Sequence, residues 1–296
     1  MDFRRIEIIF VITFIALNIF LLTTYLDKNY NNFSSDNSNT KVNIADEMAK
    51  SNIELPTFQN EINKVPYVQA DANDLLLKNY SKLNNQRGSI GENGFVYKST
   101  LSEPLQLTEE KEFVAKDIDK LIAFIESNQV LFGKEYQFFR YITKSQQVVF
   151  TQIANNIPIA DGTSEVVFQL DNSKRVISYE QSYAGPVTVQ GESRVLITDK
   201  NAVDILYQNN ELSADTIIKK PTLSYYRTLN LEELSMYAPA WFIEIESSTD
   251  TQVKRVDAIS GTVLKVQTLE QPQSVTKSRL KPPAEQDSAT LSSNRE

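Results

Sequence analysis

The chain contains no histidine and no cysteine, and those two absences exclude much chemistry at once. Without imidazole or thiol there is no Ser-His-Asp triad, no cysteine nucleophile, no thiol redox pair and no His/Cys zinc site. Disulfides are excluded as well, so an exported part of the chain must hold together by packing alone. A basic stripe is also missing. The formal net charge is -8 over 296 residues, and nothing in the sequence gathers the Lys and Arg that a nucleic-acid backbone requires. Any catalysis would have to rest on carboxylates, Lys, Tyr or Ser, and no cofactor motif is present.

One stretch lacks charge altogether. Residues 8–26, IIFVITFIALNIFLLTTYL, are long enough to cross a hydrocarbon core of about 30 Å at about 1.5 Å per residue. Arg4 and Arg5 precede the run while Asp27 and Lys28 follow it, so the positive-inside rule predicts a cytoplasmic N-terminus and an extracytoplasmic remainder. A cleaved signal peptide is the rival. Its apolar region usually spans about 7–15 residues and ends in a small-residue cleavage site, and Phe20-Leu21-Leu22-Thr23-Thr24-Tyr25 offers none. The reading is therefore a retained anchor over residues 1–27. Its one strong polar group, Asn18, shares a helical face with Phe10, Phe14, Leu21 and Tyr25. That face is the candidate partner-binding site. Asn18 either bonds to another transmembrane helix or is satisfied by backbone or headgroups.

Beyond the anchor, DKNYNNFSSDNSNTKVN (27–43) is too polar to fold alone, and residues 28–50 read as a tether. Residues 271–296, with Pro272, Pro282 and Pro283, read as a disordered tail. Between them helices and strands mix, with strands following one another directly, which predicts mainly antiparallel sheets. A helix is predicted from about Glu109 to Gln129, capped by Thr108, with Phe113, Ile118, Leu121, Ile122 and Ile125 as its apolar stripe. Strands are predicted at roughly 136–143, 146–154, 164–170 and 174–183, the last two joined by turn chemistry at Asp171-Asn172-Ser173-Lys174. After a break at Gly185-Pro186 that includes Gly191, a second helix is predicted from Thr198 to about Gln208. Strands near 222–229, 240–247, 251–257 and 262–268 follow. The domain reading is thus an α+β unit over 51–185 and another over 186–270. The repeated order of helix then strands hints at duplication, though no residue-by-residue repeat supports it.

Few residues invite a chemical reading. Asp161-Gly162 and Gly261 sit in no GxGxxG, Walker A or calcium-loop pattern, and read as turns in which glycine supplies a positive φ. The acid pairs Glu109/Glu110, Glu232/Glu233 and Glu244/Glu246 could serve a glycosidase only if two carboxylates faced one another. Glutamates at a helix start are more often dipole partners, and alternate ones on a strand its wet face. Tyr179, Tyr183, Tyr225 and Tyr226 could form a binding face or ordinary sheet core, with core the commoner outcome. Trp241 reads as core.

Four segments resemble the YycI (WalI) family, membrane-anchored regulatory proteins of the WalK/WalR (YycG/YycF) two-component system of low-GC Gram-positive bacteria. They are MDFRRIEIIFVITFIALNIFLL at the start, VISYEQSY at 176–183, Ala202 to Tyr226 with Leu223-Ser224-Tyr225-Tyr226, and Ala238-Pro239-Ala240-Trp241 through Val256-Asp257-Ala258-Ile259-Ser260-Gly261. The last resembles the VDAxTG turn shared with PepSY-type domains. Ser224 and Ser260 depart from the family's usual Gly and Thr, which touches turn geometry. The resemblance covers nearly all of residues 1–268, with 44–107 contributing little.

The resemblance implies a fold of class α+β, an N-terminal transmembrane helix followed by two PepSY-like units, each an antiparallel sheet packed on a helix. It implies a noncatalytic protein of the cell membrane that, with its companion YycH, associates with the sensor histidine kinase WalK and adjusts its activity, with cell-wall metabolism as the output. A homodimer is left open, as is the sign of the effect. The alternative from another class is an extracytoplasmic, carboxylate-dependent cell-wall hydrolase.

Overall fold

The computed structural model describes residues 3–31, 43–91, 94–108, 110 and 112–265. They fall in two compact units, Met1–Ile53 and Glu54–Glu296. In the first, α1 (Phe3–Asn31) is a single helix, about 43 Å long at about 1.5 Å per residue. Its polar side chains turn back onto the preceding turn: Thr13 Oγ1 donates to Ile9 O at 2.8 Å and Thr24 Oγ1 to Phe20 O at 2.8 Å. None of the stretch Glu7–Thr24 is buried, and by length and composition it can cross a membrane once. Helix α2 (Ile44–Lys50) starts at Asn43, whose Oδ1 accepts from Ala45 N at 3.2 Å. Of residues 28–50, 28–31 thus continue α1 and 44–50 form α2, while 32–42 lie outside the described residues, as does the segment 271–296.

The second unit is mixed α+β and dominated by sheet. After β1 (Ile53–Glu54), at the boundary between the units, the chain runs through β2 (Lys64–Asp71), α3 (Leu75–Asn79), β3 (Gln86–Ile90), β4 (Val96–Gln106) and α4 (Ala115–Glu126). It continues with β5 (Tyr136–Ile142), β6 (Gln147–Ala154), β7 (Ile157–Pro158), β8 (Glu165–Leu170), β9 (Arg175–Ser182) and β10 (Val187–Val195). The last elements are α5 (Asp199–Gln208), β11 (Thr216–Ile218), β12 (Thr222–Asn230), β13 (Leu234–Ser247), β14 (Thr251–Asp257) and β15 (Val263–Leu264).

One sheet has the order β3-β4-β9-β8-β6-β5, with every adjacent pair antiparallel and short β7 on β6. Alternate residues of β8 point inward, so Val166, Phe168 and Leu170 are buried with Phe150, Val176 and Tyr179, under Leu121, Phe124 and Ile125 of α4. Rings run across the strands: Phe150 to Phe168 at 5.9 Å, Phe168 to Tyr179 at 5.7 Å, Tyr179 to Tyr97 at 6.0 Å. Edge-to-face and tilted aromatic contacts of this kind add about 0.5–1.5 kcal/mol each beyond area burial.

The start of α4 differs from the sequence expectation. Thr108 does not cap the helix, which begins at Ala115 and ends at Glu126. The cap comes from inside: the Asp117 carboxylate reaches back to Val114 N at 3.0 Å and also accepts from Thr108 N at 2.7 Å and Thr108 Oγ1 at 2.6 Å. Phe113 therefore precedes the helix, stacking on Tyr141 at 4.4 Å, and Ile122 faces outward.

The other sheet is built on the long β13. Along one side β13 pairs with β12 and then β11; along the other it pairs with β2 over Leu234–Tyr237 and with β14 over Ala240–Glu246. β10 extends this sheet beyond β2, and β15 extends it beyond β14. A sheet drawn mostly from after residue 186 thus takes β2 from far earlier in the chain. Strand β13 starts six residues before the expected 240, running through Pro239. Proline is tolerated there because it falls between the stretches paired with β2 and β14, so its missing N–H breaks no rung, while its carbonyl accepts from Ala258 N at 2.9 Å. Helix α5 begins at Thr198, whose side chain accepts from Asn201 N at 3.2 Å. It buries Ala202, Val203 and Leu206 and packs against β13. Trp241 is buried, and its indole N–H donates to Ile197 O at 3.0 Å.

Candidate functional site

On α1 the face chosen from sequence spacing is Phe10, Phe14, Asn18, Leu21 and Tyr25. Phe10, Phe14 and Leu21 are exposed; the Tyr25 side chain lies outside the described residues. Asn18 Nδ2 donates to Phe14 O at 3.0 Å. An amide carries a second N–H and an acceptor oxygen, so this bond leaves it capacity for another helix.

A second concentration of polar groups joins the two sheets, and the 159–165 segment between β7 and β8 makes it. Ile159 forms a parallel bridge with Tyr225 of β12, and Ala160 N donates to Tyr225 O at 3.2 Å. Ala160 O accepts twice from Arg255 of β14, from Nε at 3.0 Å and from Nη2 at 2.8 Å. Asp161, buried, turns one oxygen to its own loop, taking Thr163 N at 2.9 Å and Thr163 Oγ1 at 2.6 Å. The other oxygen accepts Arg227 N of β12 at 2.6 Å. Gly162 follows at φ 87°, where a side chain would be strained. From the far side Arg140 of β5 pairs with Glu244 of β13 at 2.9 Å, and Phe139 meets Phe242 edge-on at 4.9 Å. Arg140 and Arg255 both lie over the Phe242 ring, each 5.3 Å from its centroid.

Glu165, at the start of β8, stands beside this cluster and accepts Gly162 N at 3.0 Å. Burial raises its carboxyl first and the neighbouring Asp161 charge second; the Gly162 N–H, Arg140 and Arg255 oppose them, leaving it at about 7. Burial lowers the Arg255 guanidinium and raises the Tyr237 phenol. A pocket of about 500 Å³ opens nearby, walled by Asn73, Phe95, Tyr183, Arg227, Glu232 and Tyr237 among others.

Two carboxylates hydrolyse a glycosidic bond only if both face the space that the substrate fills. Asp161 has both oxygens occupied by donors, and neither it nor Glu165 lines the pocket. Glu244 and Glu246 are each bound to their own cation, Arg140 and Lys219. Glu232 and Glu233 sit in the turn between β12 and β13, Glu232 lining the pocket together with Asp71 and Asp74, of which Asp74 is paired with Lys78, and Glu109 lies outside the described residues. Among the described residues no cluster of acids is placed to hold a metal ion. Of the four tyrosines singled out from sequence, Tyr179, Tyr225 and Tyr226 are buried, whereas Tyr183 stacks on Phe132 at 4.4 Å and lines the pocket. The Asp161-Gly162 turn is there as expected, but its bonds to β12 and β14 were not visible in sequence. An Asp two residues before a Thr signals only a local turn, and Arg227 lies 66 residues away.

Two solved structures share low likeness with the chain. An uncharacterized protein from Eubacterium rectale is 11% identical, covering 73% of this chain and 90% of its own, with a TM-score of 0.43. The YpeB C-terminal domain of Bacillus megaterium is 12% identical, covering 77% and 99%, with a TM-score of 0.33. Neither carries an argument about function. No curated protein matches. The model of the YycI protein family matches residues 31–259, most of the chain, and the chain belongs to that family.

Proposed function

We propose that this chain is a noncatalytic, membrane-anchored regulator of the sensor histidine kinase WalK, acting beside YycH and so on cell-wall metabolism. The observation that carries the reading is the family match over residues 31–259. The apolar helix α1 supports it, because one helix of this length suffices for single-pass anchoring. Arg4 and Arg5, ahead of the apolar stretch of α1, orient the N-terminus to the cytoplasm and the second unit to the outside. The two sheets, each with its helix, are read as two PepSY-like units presenting partner surfaces.

In this mechanism α1 docks laterally on the kinase's transmembrane helices through Phe10, Phe14, Asn18, Leu21 and Tyr25, while the outer unit biases a two-state element of the kinase. A coupling of about 1–3 kcal/mol changes output severalfold. The test is a membrane pull-down of the tagged full chain beside one lacking residues 1–27. Recovery of a sensor kinase by the full chain, weakened by truncation, is the expected result; equal recovery moves the contact to the outer unit, and no kinase in either sample rejects the proposal. Within α1, Asn18→Leu is expected to weaken association by up to about 1 kcal/mol, and undiminished association in the membrane removes Asn18 from the mechanism.

A further inference from the structure

We propose that the free edge of β10 pairs antiparallel with β10 of a second copy of this chain, about a two-fold axis at Ser193. The proposal goes beyond the kinase reading and stands whether or not α1 docks on a kinase. Strand β10 bonds to β2 along one side and to no other strand, and Thr188, Val189 and residues 191–195 are exposed. An edge left open in this way offers backbone N–H and C=O groups to an incoming strand. No proline falls within its nine residues, so no rung is forbidden. The centre of the strand has the least to hold it from within: residues 191–193 stand opposite Pro66 of β2 alone. Pro66 has no N–H, and its carbonyl already accepts from the Tyr225 hydroxyl at 3.0 Å.

The charges on this edge select the occupant. Glu192 and Arg194 are both exposed, and among the described residues neither forms an ion pair. Two residues apart on one strand, they project to the same face. Charges ordinarily blunt an edge, because most strands that arrive meet a like or unmatched charge. An antiparallel copy centred on Ser193 meets neither: Glu192 of each copy stands directly opposite Arg194 of the other, and the axis makes that pair twice. A parallel copy in register would instead set Glu192 against Glu192. On the opposite face the antiparallel register places Val195 across from Gly191 of the other copy. Gly191 lies at φ 68° with nothing within 4 Å of where a side chain would begin, so the exposed Val195 has room to settle there. Anchoring through α1 confines the copies to a membrane and raises the concentration at which their edges meet.

The absence of cysteine makes the test direct. The full chain in lipid vesicles receives Ser193→Cys, Thr188→Cys or Lys144→Cys, each at an exposed position, and is oxidised mildly. Residues directly opposite in an antiparallel pair have Cα atoms about 4.5–5.5 Å apart, within the about 4.4–6.8 Å that a disulfide spans, so Ser193→Cys is expected to give a covalent dimer. Thr188 stands five residues from the axis, about 33 Å from its copy, and is expected to give none, as is Lys144 in the β5–β6 turn. On the Ser193→Cys background, Glu192→Arg is expected to abolish the dimer, and adding Arg194→Glu, which restores opposite charges in reversed order, to bring it back. A Ser193→Cys chain that stays monomeric, or crosslinks no faster than Lys144→Cys, overturns the proposal. So does a dimer that is indifferent to Glu192→Arg or not restored by the double reversal. In native membranes, a Ser193→Cys adduct with a different protein and no dimer assigns the edge to that protein and rejects pairing between copies.

Discussion

Asp117 at the head of α4 and Glu165 at the sheet junction are both carboxylates drawn out of water, and they settle on opposite sides of the ordinary range. Asp117 is 0% exposed, and burial pushes its carboxyl up. Lys174 Nζ at 2.8 Å, Thr108 through both N–H and hydroxyl, and Val114 N together outweigh burial and bring it to about 2. Glu165 has the Gly162 N–H and a like-charged neighbour, and stays at about 7. Burial sets the stakes in both places; the count of donors sets the sign. The first site is a fixed cap, the second a group whose charge the fold resists.

The comparison breaks most easily at the cap. Asp117→Ala leaves the Thr108 and Val114 donors without their acceptor and the Lys174 ammonium without its counter-charge, holding only the Glu110 and Glu112 carbonyls, so urea unfolding at neutral pH is expected to show a loss of about 3–5 kcal/mol. A loss below about 1 kcal/mol would mean that the carboxylate does not organise the entry to α4. At the junction the opposite is expected. Glu165→Gln should gain about 3 kcal/mol at pH 8 and less than about 1 kcal/mol at pH 5, and a gain that is the same at both pH values would remove the ionised carboxylate as its cause. The smallest effect sharpens the donor count: Thr108→Val removes one of the donors to Asp117, costs about 1 kcal/mol and moves the acid-unfolding limb up in pH. The limb moves that way because a carboxyl held below 3.8 stabilises only while ionised, and stability is lost as pH falls toward about 2.

Sequence reading succeeded where structure is local. Strands β5, β6, β8 and β9 are short runs rich in β-branched and aromatic residues bounded by turn-forming stretches, and α5 carries its own cap at Thr198. It missed β3 and β4, and also β10, whose residues are mostly exposed and interrupted by Gly191, and β2, which carries Pro66; a strand recognised only through its partner leaves little trace in one sequence. The first turn of α4 went to Thr108 because an acidic stretch follows it, while the cap that formed is Asp117, three residues after Val114. The anchor face rests on spacing alone. The junction was not, because its bonds link residues far apart, such as Arg140 with Glu244 and Arg255 with Ala160.

Pro239 has a consequence for assembly. The hairpin of β13 and β14 is closed by a short local turn, and it can zip from that turn before β2 arrives from the distant end of the chain. Left unchecked, a local strand could run on along β13 and occupy the berth that β2 needs. The zipper meets Pro239 one step past the Ala240–Asp257 pair, where the last rung is Ala258 N to Pro239 O and no donor is offered in return. A single missing hydrogen thus reserves Leu234–Tyr237 for a latecomer and protects the order of the strands.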